Sequence, residues 1–217
     1  MTRSILIVGV GGQGTLLASR LLGRTLLAKG YDVKISEVHG MSQRGGSVVT
    51  YVRYGDKVAS PIVEKGEADI IMSFEELEAA RWLPYLKKGG SIIVNTQQMD
   101  PMPVITGAAV YPENVLGQLE DLGVDVQPVD ALSLAVEAGT PKAANVALIG
   151  VVAKNTDIEQ DVWEETIKTR SPRSSSNRTS KRSASATTRK QRRNSPALGR
   201  RVFLWRRPPP SRKATLA

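Results

Sequence analysis

The sequence contains no cysteine, and this absence excludes several kinds of site at once. Disulfides, a zinc ion held by thiolates and an iron–sulfur cluster ligated by this chain alone are all ruled out. Histidine occurs once, as His39, so a site built from cysteines and histidines together is excluded as well. We therefore expect no metal ion to be bound by this chain itself.

Long apolar segments are also missing from the chain. No apolar run approaches the roughly 18 residues of a membrane-spanning helix. The first four residues lead directly into a strand pattern, without the apolar core and cleavage site of a signal peptide. From this pattern we expect a cytoplasmic protein without membrane contact.

Charge divides the chain into two unlike parts. Residues 168–217 contain 16 Lys and Arg and no Asp or Glu, whereas residues 1–167 contain 14 Lys and Arg against 21 Asp and Glu, a net charge of −7. The basic part is rich in serine and arginine and has little apolar patterning, which favours disorder. We predict one domain over residues 1–167 and a disordered basic tail over residues 168–217.

Strand and helix patterns alternate along the first part of the chain. Predicted strands cover residues 5–8, 32–36, 47–54, 68–73 and 91–95, with weaker candidates at 58–63, 104–110 and 124–126. Predicted helices cover residues 15–29, 75–86, 131–138, 143–154 and 161–167. The pattern predicts an α/β, three-layer Rossmann-like domain with a mostly parallel sheet and functional loops at the carboxyl ends of its strands.

A glycine-rich loop joins the first predicted strand to the first predicted helix. Gly9, Gly11 and Gly14 fit the pattern G-x-G-x-x-G, in which backbone N–H groups can approach an anion at a helix N-terminus. Glu37 ends the second strand, where dinucleotide-binding folds place an acid that binds ribose. NAD(P) or FAD binding is one interpretation of this spacing, and close packing of helix on strand is the other.

Residues 37–46 form the densest polar cluster in the acidic part of the chain. His39 could carry a proton near neutral pH or serve as a hydrogen-bonded structural residue. Arg44 could bind a phosphate or carboxylate through two hydrogen bonds, or pair with Glu37 or with a partner chain. Asn95 ends another strand and could bind a ligand or cap a turn. No pair of side chains identifies a catalytic residue.

Three segments together resemble the gamma-type domain of pyruvate and other 2-oxoacid:ferredoxin oxidoreductases. They are Gly9-Val10-Gly11-Gly12-Gln13-Gly14-Thr15, then Glu37-Val38-His39-Gly40-Met41-Ser42-Gln43-Arg44-Gly45-Gly46-Ser47-Val48, then Ala68-Asp69 with Phe74-Glu75, Glu78-Ala79 and Arg81. Within that family the second segment is most similar to the enzymes that act on indolepyruvate. The resemblance covers residues 4 to about 167.

The resemblance implies the oxidative decarboxylation of an arylpyruvate, with coenzyme A as co-substrate, to aryl-acetyl-CoA, carbon dioxide and reduced ferredoxin. Thiamine diphosphate, magnesium and the iron–sulfur clusters would lie on a large (alpha) subunit, ferredoxin would meet the complex, and this chain would be inactive alone. None of its residues is expected to be catalytic. The candidate ligand- or interface-loop residues are Gly9, Gly11, Gly12, Gln13, Gly14, Glu37, His39, Gly40, Met41, Gln43, Arg44, Gly45, Gly46 and Asn95.

Three alternatives remain open from the sequence. Pyruvate, branched-chain 2-oxoacid and 2-oxoglutarate enzymes share this type of domain, so the substrate could differ. A free-standing dinucleotide-binding protein would also explain the glycine loop and Glu37. Nucleic-acid binding is supported only by the tail, and the acidic charge of residues 1–167 argues against it.

The tail departs from the ending that the resemblance leads us to expect, which is Val-Pro-x-Lys, then Asn, then Ala-Phe and Gly. When the nucleotides under residues 170–186 are read one base earlier, the allowed codons include Val-Pro-Ala-Lys-Phe-Leu-Glu-Pro-Asn-Leu-Glu-Ala-Phe-Arg-Leu-Gly. We predict a frameshift near codons 168–170, which resequencing of that stretch will reveal. An intact frame would instead support a native arm that binds nucleic acid or anionic surfaces.

Overall fold

The computed structural model describes residues 1–39, 45–140 and 143–170, without the side chains of His39 and of residues 168–170. Four candidate residues, Gly40, Met41, Gln43 and Arg44, lie outside the described residues. The basic tail from residue 171 onward, for which we predict disorder, also lies outside the described residues.

Six strands form one sheet in the order β2-β3-β1-β4-β5-β6. Five of them run in the same direction, and β3 alone is antiparallel to both of its neighbours. The predicted α/β fold with a mostly parallel sheet is therefore confirmed. The strands are β1 Arg3–Val10, β2 Asp32–His39, β3 Ser47–Gly55, β4 Ala68–Ser73, β5 Leu86–Asn95 and β6 Asp125–Val129.

Helices cover both faces of the sheet and make three layers. One face packs against α1, α5, α6 and α7 around Leu22, Leu148 and Trp163, and the other packs against α2 and α4 around Ala79 and Leu119. No helix in the described part is long and apolar enough to span a bilayer. The helices are α1 Thr15–Ala28, α2 Glu76–Trp82, α3 Met102–Ile105, α4 Val115–Asp121, α5 Ala131–Glu137, α6 Ala144–Lys154 and α7 Gln160–Arg170, with a 3-10 turn at Leu83–Tyr85.

Strand β1 lies at the centre of the sheet and is buried on both faces. Ile5 and Ile7 belong to the core on the α1 side, and Leu6 and Val8 belong to the core on the α2 side. Successive side chains of a strand point to opposite faces, so a continuous apolar run needs a helix layer on each side. The run therefore requires the three-layer arrangement that the structure shows.

The strand order differs from a simple βαβ unit. Helix α1 does join two strands of the same direction, β1 and β2, but β3 lies between them. Val49 and Val52 of β3 are buried, whereas Ile35 and Val38 of β2 are exposed, so burial favours β3 inside the sheet and β2 at its edge.

Several predicted elements are corrected by the structure. Residues 58–63 and 104–110 form no strand; the first is a loop and the second contains the end of α3 and a turn. Helix α2 ends at Trp82, not at residue 86, because Pro84 lacks an N–H and cannot continue the helical ladder. Lys87 and Lys88 consequently lie in β5 and not at a helix end. No sequence pattern predicts helix α4.

Trp163 anchors α7 to the rest of the domain and provides a test of this packing. Its side chain is fully buried in the core on the α1 side. We expect Trp163→Ala to lower the free energy of unfolding by about 3–5 kcal/mol, measured by urea denaturation. Trp163→Phe should cost less, because the indole N–H has no hydrogen-bond partner among the described residues. Leu132→Ala, at a side chain 56% exposed, is the control; equal losses for Trp163→Ala and the control would contradict the prediction.

Candidate functional site

The carboxyl ends of β1, β4, β5 and β6 meet at one edge of the sheet, as in other open α/β sheets. A cavity of about 510 Å³ opens there, between the glycine loop and the starts of α5 and α6. Four neutral amide side chains line it, those of Gln13, Asn95, Gln97 and Asn145, together with Phe74, Met99 and small residues. None of the described residues that line the cavity is charged.

Helix α1 begins at this cavity, and its first turn has no side-chain cap. The residue before it, Gly14, has a φ of +87°, which disfavours any residue with a side chain. A Cβ on Gly14 would also lie 2.3 Å from Nδ2 of Asn145, whose amide donates a hydrogen bond to the Gly14 carbonyl at 3.3 Å. Gly14 therefore allows the start of α6 to approach the glycine loop closely.

Gln13 folds back over the end of β1. Its Oε1 accepts a hydrogen bond from the Val10 N–H at 2.7 Å, and its Nε2 donates to the Phe74 carbonyl at 3.1 Å. A Cβ on Gly9 would lie 2.8 Å from that Oε1 and 3.0 Å from Cβ of Phe74. Gly9 is thus required by the packing of Gln13 and β4 against β1.

Asn95 joins the ends of three elements from a buried position at the end of β5. Its Nδ2 donates to the Phe74 carbonyl and to Oε1 of Gln97, both at 3.3 Å, and its Oδ1 accepts from the Ala131 N–H at 3.1 Å. The predicted candidate Asn95 therefore lies at the cavity and ties β4, β5 and α5 together.

Gly45 and Gly46 lie directly against the glycine loop. The Gly11 N–H donates to the Gly46 carbonyl at 2.8 Å, and the Gly45 N–H donates to the Gly11 carbonyl at 3.4 Å. The start of β3 is thereby fastened to the end of β1. The structure brings together Gly9 to Gly14, Gly45, Gly46 and Asn95 among the sequence candidates.

Glu37 lies away from the glycine loop. It faces Thr50 across the β2–β3 pair, and β3 separates it from β1, which corresponds to about 10 Å at the usual strand spacing. Its Oε2 is buried without a hydrogen-bond partner among the described residues. His39 is the last residue of β2 and pairs with Val48.

Glu75 is the N-cap residue immediately before α2, lies beside the cavity and is almost completely buried. Its carboxylate accepts hydrogen bonds from the N–H groups of Glu78 at 2.8 Å and Met99 at 3.2 Å, and from the Tyr111 hydroxyl. Burial, together with the neighbouring Glu75 carboxylate, raises the pKa of Tyr111, so the hydroxyl remains a proton donor.

Six residues that line the cavity are not among the sequence candidates: Phe74, Gln97, Met99, Ala131, Ala144 and Asn145. Of these, only Phe74 belongs to one of the three motifs that carry the resemblance. Gln97 could have been found from the sequence, because it lies two residues after the end of a predicted strand. Asn145 could not, because it reaches the cavity only through the packing of α6 on the glycine loop. Among the side chains that the structure describes, no three Asp or Glu residues are grouped as ligands for a metal ion.

Gly12 and Gly14, the two residues of the loop between β1 and α1 that have positive φ, provide a matched test of that loop. Gly12→Ala should cost about 1–2 kcal/mol of stability through backbone strain alone, because nothing lies within 4 Å of its Cβ position. Gly14→Ala should cost more, because the Asn145 amide must also move. In urea denaturation, the extra loss of stability caused by Gly14→Ala should disappear when Asn145→Ala is already present. The loss caused by Gly12→Ala should be the same with and without Asn145→Ala. Equal losses for the two glycine variants would contradict this contact.

The protein family described as pyruvate ferredoxin/flavodoxin oxidoreductase matches residues 4–184 of the chain. Indolepyruvate oxidoreductase subunit IorB of Thermococcus kodakarensis is 47% identical over 156 residues, which are 70% of this chain and 76% of the relative. The protein of the same name in Pyrococcus horikoshii is 47% identical over 154 residues, with 70% and 76% of the two chains covered.

The fold is also similar to a solved structure. The keto/oxoacid ferredoxin oxidoreductase gamma subunit of Geobacter sulfurreducens superimposes with a TM-score of 0.56 at 19% identity, covering 78% of this chain and 87% of the other. The structural likeness concerns the fold, whereas the sequence matches confirm the resemblance drawn from the three motifs. The chain belongs to the pyruvate ferredoxin/flavodoxin oxidoreductase family.

Proposed function

We propose that the chain is the small subunit of a ferredoxin-dependent oxidoreductase that acts on arylpyruvates, with indolepyruvate as its substrate. The observation that carries the proposal is the 47% identity to archaeal proteins named for indolepyruvate. The complex would convert the 2-oxoacid and coenzyme A to aryl-acetyl-CoA and carbon dioxide, and pass the electrons to ferredoxin. We assign this reaction to the cytoplasm.

The cavity at the carboxyl edge is the place where this chain would contribute to the reaction, by holding part of coenzyme A. Its four neutral amides can donate to and accept from the amide and hydroxyl groups of the pantetheine arm. The uncapped first turn of α1 offers backbone N–H groups, which favour a phosphate. Both features support a binding role for the glycine loop and leave the redox chemistry to other residues.

The redox cofactors would be held by a large partner subunit. Iron–sulfur clusters are ligated by cysteine thiolates, and this chain has no cysteine. Thiamine diphosphate and its magnesium ion would supply the decarboxylation chemistry on that subunit. The present chain would bind and orient coenzyme A, and we expect no activity from it alone.

Co-expression under anoxia with a large subunit encoded by the same genome tests the proposal. We expect the two chains to co-purify and to reduce viologen in a coenzyme A-dependent reaction, with a higher kcat/KM for indolepyruvate than for pyruvate. Each subunit alone is the control and should be inactive.

The outcomes of this assay separate the alternatives. Activity on pyruvate, a branched-chain 2-oxoacid or 2-oxoglutarate alone would keep the subunit role and replace the substrate. Failure to associate with any such subunit would overturn the proposal. NADH binding by the chain, measured by fluorescence, would then support a free-standing dinucleotide-binding protein.

A further inference from the structure

The segment between β5 and α4 forms one wall of the cavity. It leaves the sheet after Asn95, carries Gln97 and Met99 to the cavity, and passes the first turn of α2. Only the four-residue helix α3 gives it regular structure, and residues 101–112 contain no charged side chain. Its position must therefore come from contacts with neighbouring elements.

The Glu75 carboxylate makes the contacts that hold both ends of this segment. Oε1 accepts hydrogen bonds from the Met99 N–H at 3.2 Å and from the Tyr111 hydroxyl, while Oε2 accepts from the Glu78 N–H at 2.8 Å. Residue Glu75 is 1% exposed, so water does not compete for these bonds. One carboxylate thus connects helix α2 to the beginning and to the end of the segment.

Two further hydrogen bonds connect the first turn of α2 to the same segment. The Glu76 N–H donates to the Gln97 carbonyl and the Leu77 N–H donates to the Tyr111 hydroxyl oxygen, both at 3.1 Å. N–H groups in a first helical turn have no partner inside the helix. Here they bind the segment, so the start of α2 serves to fix the cavity wall.

We infer that Glu75 is a positioning residue for the coenzyme A cavity. It is absent from the described lining of the cavity, and it acts through the wall that carries Gln97 and Met99. A carboxylate suits this role because it accepts from three donors at once, whereas a neutral amide would present an N–H group to one of them. That the positioned wall serves coenzyme A rests on the proposed function; that Glu75 positions the wall does not.

Amide hydrogen exchange of the full chain tests the positioning. Tyr111→Phe removes the hydroxyl that donates to Glu75 and accepts from the Leu77 N–H, and it should speed exchange in residues 96–111 while leaving β1 and α1 as in the wild type. Glu75→Gln should have a larger effect on the same residues. Tyr85→Phe is the matched control, because it deletes the same hydroxyl from a tyrosine packed on Trp82 and should leave the segment unchanged. If Glu75→Gln does not fold, Tyr111→Phe still decides the question.

Kinetics of the complex with its large subunit test the consequence for the ligand. Tyr111→Phe should raise the KM for coenzyme A roughly fivefold, the size of effect that the loss of a hydroxyl and its hydrogen bonds commonly produces. The KM for the 2-oxoacid and kcat at saturating coenzyme A should stay unchanged, which a general loss of stability would not produce.

Three results would overturn the inference. Unchanged exchange in residues 96–111 of Tyr111→Phe would show that the contact does not position the segment. Faster exchange with an unchanged KM for coenzyme A, or an equal rise in the KM of both substrates, would show that the wall does not serve that ligand. A wild-type complex without coenzyme A-dependent activity would instead refute the proposed function, and the exchange result would still stand.

Discussion

The carbonyl oxygen of Phe74 is the acceptor on which the carboxyl edge of the sheet depends. It receives hydrogen bonds from Gln13, which folds back over β1, and from Asn95, which ends β5. A buried polar group left without a partner costs about 1–3 kcal/mol, so the two amides and the carbonyl are mutually dependent. The glycine loop, the end of β4 and the start of α5 therefore keep a common geometry, and the cavity between them is a property of the sheet.

Local signals in the sequence predict the central part of this arrangement. The apolar run of β1, the glycines after it and the helical spacing of α1 all act within about 25 neighbouring residues, and the structure confirms each element. Asn95 is a candidate from the sequence for the same reason, since it ends an apolar strand. The place of β3 between β1 and β2 could not be predicted, because it follows from pairing between residues distant in the chain. The contribution of Asn145 depends likewise on how α6 packs.

The cavity combines neutral amides with a domain of acidic net charge. Residues 1–167 carry a net charge of −7, and the described lining contains no cation. An anionic ligand such as coenzyme A would gain hydrogen bonds here but no compensating positive charge from that lining. Exposed charges are screened over about 8 Å at physiological salt, so cations that bind its phosphates must stand close to them. Arg44, which precedes the lining residue Gly45 in the sequence, and basic residues of another subunit are the two candidate sources of such a cation.

The strand order around the glycine loop determines which side chains can reach a ligand bound there. In a dinucleotide-binding fold the second strand lies next to the first, so the acid at its end can reach the ribose of a ligand on the loop. Here β3 occupies that place, and Gly45 and Gly46 form hydrogen bonds with Gly11. Glu37 is thereby two strands away from the loop. In this chain the same glycine spacing consequently supports the packing of Gln13 and Asn145. The loop forms one wall of the cavity, and the segment with Gln97 and Met99 forms another.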